Sequence, residues 1–198
     1  MASFGKAKYR ILIVSQTDKI PDSIEEILPS TEYERVLRAR DGGEAKRMLL
    51  SQQVDVVIIN TPLKDDFGID TALDLAENPI GIMLLVKNEI FNQVSYQVED
   101  SGVATLGKPL SRHEVYSAVK ILTALSARLA KMEKKNRSLQ EKMGDIRVVN
   151  RAKWLLIENM KMSENDAHSY IEHEAMDRRI SRREMAEKII ATYDNTVH

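Results

Sequence analysis

Basic side chains are concentrated in the last third of the chain, at spacings that could hold the phosphates of a nucleic acid. Arg147 and Arg151 are four residues apart, and Lys153 follows in the same predicted helix. Residues four apart lie on one face of a helix, so both guanidinium groups are expected to point to the same side. The rings of His168 and Tyr170 lie nearby and could stack on unpaired bases. Tyr170, at helical spacing, also suits a core position. The remaining candidates for this site are Arg178, Arg179, Arg182 and Arg183.

Apolar residues in this region recur at steps of three and four, which predicts three short helices within residues 143–198. The first runs from Ile146 to Met160. Two pairs have the spacing of a capping box, in which a hydroxyl and a carboxylate close the first turn of a helix: Ser163 with Asp166, and Ser181 with Glu184. The second and third helices are therefore predicted to begin after these serines, with the arginine-rich turn between them.

This pattern resembles the ANTAR domain. The resemblance is carried by Arg147-x-x-x-Arg151-Ala152-Lys153-x-Leu155-Leu156, Ser163-x-x-x-Ala167, Glu174-Ala175-Met176 and Ala186-Glu187. Members of that family bind RNA hairpins in nascent leader transcripts and let transcription continue, so the resemblance implies an RNA-binding antiterminator. Trp154 departs from the family, which usually has a small residue there, and Lys161 stands where a glycine would end the helix. We expect the indole to fill the small core; an exposed ring that stacks on a flipped-out base is the alternative.

A heptad pattern precedes this region. Apolar residues alternate at steps of three and four from Val115 to Ile146, as in a coiled coil. Asn136 occupies an a position, and a buried asparagine is best tolerated opposite another asparagine, so a parallel homodimer is predicted. We expect residues 115–125 to serve also as the last helix of the preceding domain. The predicted dimer seam comprises Leu122, Leu125, Leu129, Met132, Asn136, Leu139 and Met143.

The first 110 residues alternate short apolar runs with amphipathic segments. This alternation predicts an α/β fold with a doubly wound, parallel, five-stranded sheet of the flavodoxin-like kind. Helices are expected at Ser23–Leu28, Glu44–Gln52, Ile69–Glu77 and Asn92–Asp100. Strands are expected at Arg10–Val14, Tyr33–Ala39, Val54–Ile59, Gly81–Val86 and Ala104–Leu106.

Gly107-Lys108-Pro109-Leu110, after the fifth predicted strand, resembles the Lys-Pro motif of response-regulator receiver domains. The resemblance implies a phosphate-accepting aspartate at the end of the third strand, but Asn60 stands there, and an amide cannot form an acyl phosphate. Ser15 and Gln16 replace the acidic pair that would hold Mg²⁺. We therefore predict a pseudo-receiver in which Lys108 has a structural role, such as a hydrogen bond to Asn60. Two further positions depart from the receiver pattern: Val86 or Lys87 stands where a hydroxyl is expected after the fourth strand, and Thr105 stands at the aromatic switch position. Asp18, Asp65 and Asp66 lie nearby in sequence and could substitute as phosphate acceptors.

Composition limits the remaining possibilities. The chain has 198 residues, 43% of them hydrophobic and 30% charged, which suits one large domain or two small ones. Its formal net charge of −1 requires any nucleic-acid site to be a local patch. The sequence has no cysteine, so disulfides and thiolate metal sites are excluded. The four histidines lack metal-ligand spacing, so no metal, cofactor or enzymatic activity is predicted. With neither a membrane-spanning run nor a signal peptide in the pattern, a cytoplasmic location is expected.

The sequence thus predicts a pseudo-receiver over residues 1–125, a coiled-coil helix over residues 115–146 and an RNA-binding unit over residues 143–198. The predicted function is antitermination by a dimer that binds leader-RNA hairpins. Because phosphorylation is not expected, a partner protein or a ligand should control the pseudo-receiver. The alternatives are a DNA-binding response regulator, in which three helices imitate a helix-turn-helix, and a signalling adaptor that binds only proteins.

Overall fold

The computed structural model describes residues 8–194, and its first half is built on a five-stranded parallel sheet. The strands lie in the order β2-β1-β3-β4-β5, as expected for the predicted doubly wound fold, which is confirmed. Consecutive strand residues point to opposite faces of a sheet, and both faces are covered, so nearly all residues of β1, β3 and β4 are apolar and buried. The strands are β1 (Ile11–Val14), β2 (Leu37–Ala39), β3 (Val56–Asn60), β4 (Gly81–Lys87) and β5 (Ala104–Lys108).

Five helices flank this sheet. They are α1 (Lys19–Glu25), α2 (Gly42–Ser51), α3 (Ile69–Ala76), α4 (Phe91–Val98) and the first part of α5 (Arg112–Met160). Short 3-10 helices at Asn88–Ile90 and Glu99–Ser101 flank α4. One core layer contains Leu12 and Val14 of β1 and the other contains Ile11 and Ile13, so the alternation along each strand divides the apolar residues between two helical layers.

The largest differences from the predicted boundaries in this half are at α1 and β2, and the other elements begin and end within two residues of their predicted bounds. Helix α1 begins at Lys19 rather than Ser23, because Pro21 is favourable in the first turn of a helix. Strand β2 has three residues rather than seven. The backbone N–H of Val36 donates to Glu25 Oε1 at 3.3 Å instead of joining a ladder, and Tyr33 forms only an isolated bridge with Tyr9.

Helix α5 is continuous over 49 residues, from Arg112 to Met160. The prediction of a separate first C-terminal helix starting near Ile146 is therefore wrong: that segment is the end of α5. Gly144 lies inside the helix, where a single glycine costs only about 1 kcal/mol relative to alanine. The flanking residues are good helix formers and maintain the helix through this position.

Leu122 was predicted to lie in the dimer seam, and this is wrong. Its side chain is only 3% exposed and belongs to the core layer with Val115 and Val119. Helix α5 approaches β4 closely at this point, since a Cβ atom added at Gly81 would lie 2.9 Å from Leu122 Cβ. Residues from Arg112 to Leu122 thus pack on the sheet, and the exposed part of the heptad pattern begins at Leu125.

The described chain divides into two compact units between Glu133 and Lys134. In the second unit, the end of α5 packs with α6 (Glu164–Asp177) and α7 (Arg182–Asp194). Its buried core comprises Ala152, Leu156, Ala167, Ile171, Ala175, Met185, Ala186 and Ile189. Within residues 8–194, no helix is long and apolar enough to cross a membrane.

Both predicted capping boxes are confirmed. Ser163 Oγ accepts from the backbone N–H of Asp166 at 3.2 Å and donates to Asp166 Oδ2 at 2.7 Å. The backbone N–H of Ser181 donates to Glu184 Oε2 at 2.8 Å, and Ser181 Oγ accepts from the N–H of Glu184 at 3.1 Å. The donation from the Ser181 N–H, with a second from Ser181 Oγ to Glu184 Oε2 at 2.9 Å, holds the pKa of Glu184 below its ordinary value. Lys161, at the end of α5, has φ of 55°, so this lysine adopts the left-handed conformation for which a glycine was expected.

Candidate nucleic-acid interface

Five of the predicted RNA-binding residues of the C-terminal unit line two open grooves, and Arg178, Arg179 and Arg183 line neither. The first, which we call the α7 groove, has a volume of about 470 Å³. It is lined by Arg147, Val148 and Arg151 of α5 and by Glu187, Ile190 and Ala191 of α7. The second, the α6 groove, has a volume of about 410 Å³. Its lining comprises Lys142, Asp145, Ile146, Val149, Asn150, Lys153, His168 and Arg182.

The two grooves offer different surfaces to a nucleic acid. Arg147 and Arg151 are confirmed to lie together, as their four-residue spacing predicted. Lys153 lies with His168 and Arg182 instead, because two further residues along a helix turn a side chain by more than half a revolution. The apolar residues Ile146 and Val149 lie among these polar groups. The α6 groove therefore combines apolar surface, which can pack on a base, with cationic groups, which can bind phosphate.

Acidic residues pair with most of the arginines around the turn between α6 and α7. Arg178 pairs with Glu174 at 2.7 Å, and Arg182 pairs with Glu172 at 2.6 Å. These pairs are exposed, so they contribute little to stability, and their main effect is to fix the direction of the guanidinium groups. The acidic residues of this segment thus reduce its charge without covering the arginines.

Arg183 joins two helices. Its guanidinium group contacts Asp145 of α5 and Glu187 of α7, each at 2.9 Å. These two carboxylates raise the pKa of Arg183 above its ordinary value. Lys153 of α5 also joins two helices, since its Nζ lies 3.0 Å from Glu164 Oε1 of α6 and lowers the pKa of that carboxyl. Arg183 and Lys153 are therefore partly structural, which the sequence pattern alone did not indicate.

Arg147 and Arg179 differ from these residues, because within residues 8–194 neither has an ion-pair partner. Both are exposed. Arg179 has φ of 54°, which places it at the left-handed end of α6. A phosphate approaching either guanidinium group would not first have to displace a carboxylate.

The three rings near these residues have different environments. His168 is exposed, with Nε2 3.4 Å from Glu172 Oε1. Tyr170 is half-buried against the core of the unit, which agrees with the core alternative for this residue. The expectation that Trp154 fills the core is wrong, since its side chain is 64% exposed. Ala152 and Leu156 occupy the core face of α5, and position 154 lies on the opposite side of the helix.

Sequence reasoning did not assign Asn150 to the interface. It lies in the α6 groove beside Ile146 and Lys153, where its amide could donate to and accept from a base edge. The helical period could have predicted this position, because Asn150 is four residues after Ile146 and three before Lys153 and so lies on the same face of α5.

In the first unit, Lys108 at the end of β5 lies beside Asn60 at the end of β3, where the resemblance to receiver domains implies a phosphate pocket. Its ammonium donates to Asn60 Oδ1 at 3.0 Å and to the Thr61 carbonyl at 2.8 Å, which confirms the predicted bond between Lys108 and Asn60. Asn60 Nδ2 in turn donates to Ser15 Oγ at 3.1 Å. Ser15, itself 3% exposed, donates to the Thr17 carbonyl at 2.8 Å. A chain of hydrogen bonds therefore connects the carboxyl ends of β5, β3 and β1.

Gln16 and Lys87 lie at the edge of this pocket. Gln16 Nε2 donates to the Pro62 carbonyl at 3.0 Å and so ties the loop after β1 to the loop after β3. Lys87 is exposed. Burial, together with the charge of Lys87, lowers the pKa of Lys108. The amide of Asn60 is neutral, so it cannot counteract this shift as a carboxylate would.

The three aspartates that could substitute as phosphate acceptors all have other partners. Asp18 pairs with Arg40 at 3.0 Å. Asp66 Oδ2 accepts from Thr71 Oγ1 at 2.6 Å, near the start of α3. Asp65 accepts the backbone N–H groups of residues 42 and 43 at 3.2 Å each. Burial acts to raise the pKa of Asp65, but these backbone donors outweigh it and hold the pKa below its ordinary value.

Replacing Lys108 with methionine should change how stability depends on pH. The pKa of Lys108 in the folded protein lies below 10.5, so between that pKa and 10.5 the unfolded chain binds more protons. The free energy of unfolding of the wild type, relative to that of Lys108→Met, should therefore rise with pH in that window. Urea unfolding at several alkaline pH values measures this difference.

Lys46→Met is the matched control, since the hydrogen bond that the Lys46 ammonium donates to Asp74 raises the pKa of Lys46 above 10.5. The contribution of Lys46 to stability is then fully present below 10.5 and is lost only as the pH rises through its folded pKa. The difference from wild type should stay constant below 10.5 for Lys46→Met. A constant difference for Lys108→Met as well would contradict the environment described for Lys108.

Comparisons with known proteins agree with this division into two units. The sequence profile of the ANTAR domain matches residues 137–190. The transcriptional regulatory protein PdtaR of Mycobacterium tuberculosis is 29% identical over 184 residues, covering 92% of this chain and 90% of that protein. The aliphatic amidase regulator of Pseudomonas aeruginosa is 35% identical over 83 residues, 42% of this chain and 41% of that protein.

Among solved structures, the signal receiver domain of an HD domain-containing protein from Pseudomonas fluorescens Pf-5 has the fold of the first unit. The two share a TM-score of 0.58 at 19% identity, covering 66% of this chain and 97% of that chain. This likeness concerns the fold alone. The chain thus has a segment that matches the ANTAR domain, after a unit with the fold of receiver domains, and it is similar to a transcriptional regulatory protein along nearly its whole length.

Proposed function

We propose that this protein is a cytoplasmic transcription antiterminator that binds hairpins in leader RNA as a homodimer. The observation that carries the proposal is the position of Arg147 and Arg151 on one face of α5, inside the segment that matches the ANTAR domain. Phosphate contacts from such residues supply affinity, and unpaired loop bases supply specificity. In this proposal the three parts are those predicted from the sequence: residues 1–125, 115–146 and 143–198.

The exposed heptad residues of α5 support dimerisation. Met132, Leu139 and Met143 are 58%, 50% and 56% exposed, although all three are apolar and occupy one stripe of the helix. Leu125, Leu129 and Asn136 lie on the same stripe. A coiled coil buries such residues, so a second copy of the chain is the partner that the heptad pattern fits.

Control through the pseudo-receiver is proposed to be independent of phosphorylation. The Asn60 amide is held between Lys108 Nζ and Ser15 Oγ, and neither Ser15 nor Gln16 offers the carboxylate that Mg²⁺ binds in such sites. A regulatory protein or a ligand that binds the first unit would then set the activity. Incubation with acetyl phosphate and Mg²⁺ should leave the mass of the protein unchanged.

The test of RNA binding compares one leader RNA carrying two hairpins with a single hairpin and with duplex DNA, at one fixed salt concentration. The Arg147→Ala/Arg151→Ala variant should bind the two-hairpin RNA more weakly. It should also depend less on salt, with a log–log slope smaller by about 0.7–0.9 for each phosphate that the variant no longer binds. Fluorescence anisotropy of a labelled RNA measures both quantities.

Arg35→Ala/Lys64→Ala is the control, because it removes the same charge from exposed positions of the first unit. Binding by this control should equal that of the wild type. Stronger binding to duplex DNA than to hairpin RNA would replace the proposal with a DNA-binding regulator. The absence of any nucleic-acid binding by the wild type would favour a signalling adaptor that binds only proteins.

A further inference from the structure

Trp154 lies on a face of α5 that is mainly apolar up to Met143 and basic beyond it. Side chains seven residues apart lie on nearly the same side of a helix, so Trp154 continues the line of Met143 and Arg147. The indole is 64% exposed, and Arg147 is also exposed. Burial in the core does not explain the indole, because Ala152 and Leu156, on the opposite side of α5, are 0% and 1% exposed.

The charge around Trp154 indicates whether a second copy of the chain or a polyanion can bind to this part of α5. Up to Met143 the stripe is apolar except for Asn136, which suits a helix–helix seam. Beyond it, the exposed residues Arg147 and Arg151 precede Trp154 by seven and three residues on this part of the helix. A second copy docked in parallel would place cations against cations there, whereas a polyanion would meet complementary charge.

We propose that Trp154 is a stacking platform for an unpaired RNA base whose adjoining phosphates bind Arg147 and Arg151. This inference rests on the proposed RNA-binding function and names an interaction within it. Base stacking on an exposed aromatic ring beside cationic groups is the usual way in which proteins hold single-stranded RNA. Arg147 lies about 10 Å from Trp154 along the helix axis, a distance that a short single-stranded stretch can span.

Glu158 determines from which end of α5 the RNA backbone approaches Trp154. It is exposed and lies one helical turn beyond Trp154, on the side away from Arg147. Its carboxylate repels phosphate, so the RNA backbone approaches the indole from the end that carries Arg147 and Arg151. The base then covers the ring, and the backbone leaves along the α7 groove, which these two arginines line.

The experiment uses the full chain, in which Trp154 is the single tryptophan and therefore the only source of indole fluorescence. Titration with a hairpin RNA should quench the emission, because stacking on a base quenches indole. A blunt RNA duplex of the same length, without unpaired bases, should not. Trp154→Ala should bind the hairpin roughly 5- to 150-fold more weakly, and Trp154→Phe should recover part of the loss.

The salt dependence separates stacking from charge. Trp154→Ala should keep the slope of the wild type, whereas Arg147→Ala should reduce it by about 0.7–0.9. Met176→Ala is the control for loss of an exposed apolar side chain, since Met176 is 69% exposed on α6, and it should bind as the wild type does.

Three outcomes would overturn the inference. Hairpin binding with unchanged fluorescence and unchanged affinity of Trp154→Ala removes the stacking interaction but leaves the proposed function intact. A blue shift that grows with protein concentration in the absence of RNA means that a second copy covers the indole. Failure of the wild type to bind any hairpin removes both the inference and the proposed function.

Discussion

Replacing Leu139 with lysine is expected to convert the dimer to a monomer and to weaken binding to a two-hairpin RNA by roughly 10²- to 10⁴-fold. Leu139 occupies a d position and is 50% exposed in the single chain. In the proposed coiled coil it would be buried, and a lysine there would bring two ammonium groups into an apolar seam. The loss of affinity follows because a monomer binds one hairpin at a time and loses the effective concentration that links two sites.

Sedimentation equilibrium measures the mass, and anisotropy with one-hairpin and two-hairpin RNA measures the affinity. Affinity for a single hairpin should not change, since Leu139 lies outside both grooves. Ser138→Lys is the matched control, because it adds the same charge at the neighbouring position, which faces away from the seam. A dimeric Leu139→Lys protein with undiminished two-hairpin binding would refute the assignment of the seam.

The first unit could be predicted from the sequence because its strands are buried on both faces. The run from Val56 to Ile59 can be stable only in the interior, and β-branched residues favour a strand there. The hydrogen bond between Lys108 and Asn60 was predictable for a geometric reason. Both residues end parallel strands, and such ends meet at one edge of a sheet.

The C-terminal unit was less predictable, because its side-chain environments depend on packing between helices. The capping boxes are local and were predicted correctly. The division of the basic residues into two grooves depends on where α6 and α7 pack along α5, and no local pattern specifies this. The exposure of Trp154 has the same origin: its apolar ring suggested a core position, but Ala152 and Leu156 already fill that face of the helix.

In the proposed pseudo-receiver, the hydrogen bonds around Asn60 connect strand ends at a site that is not expected to accept phosphate. In a pocket of carboxylates, a buried lysine is stabilised by opposite charge. Here Lys108 keeps only neutral acceptors, the Asn60 amide and the Thr61 carbonyl, and its pKa is lowered by burial. Two hydrogen bonds satisfy the ammonium, but no charge pairs with it. Under the proposed function, this site is a structural connection between strands, and a regulatory signal would act elsewhere on the unit.

Replacing Leu156 with alanine is expected to lower the free energy of unfolding of the C-terminal unit by about 2–5 kcal/mol. The side chain is 1% exposed and belongs to the cluster that joins the end of α5 to α6 and α7. A unit of this size buries a small core, so such a loss is a large part of its total stability. Circular dichroism during heating should show an earlier transition of this unit, with that of the receiver unit unchanged.

The consequence of Leu156→Ala for function follows from the geometry of the grooves. Each groove has one wall on α5 and another on α6 or α7, so its cationic groups converge only while the three helices stay packed. RNA affinity should therefore fall at temperatures where the unit is partly unfolded and recover on cooling. Met176→Ala, which removes a side chain that is 69% exposed, should leave both the transition and the affinity unchanged. Full RNA binding by Leu156→Ala above its transition would mean that the packed three-helix arrangement is not needed for recognition, because Arg147 and Arg151 on an isolated helix would then suffice.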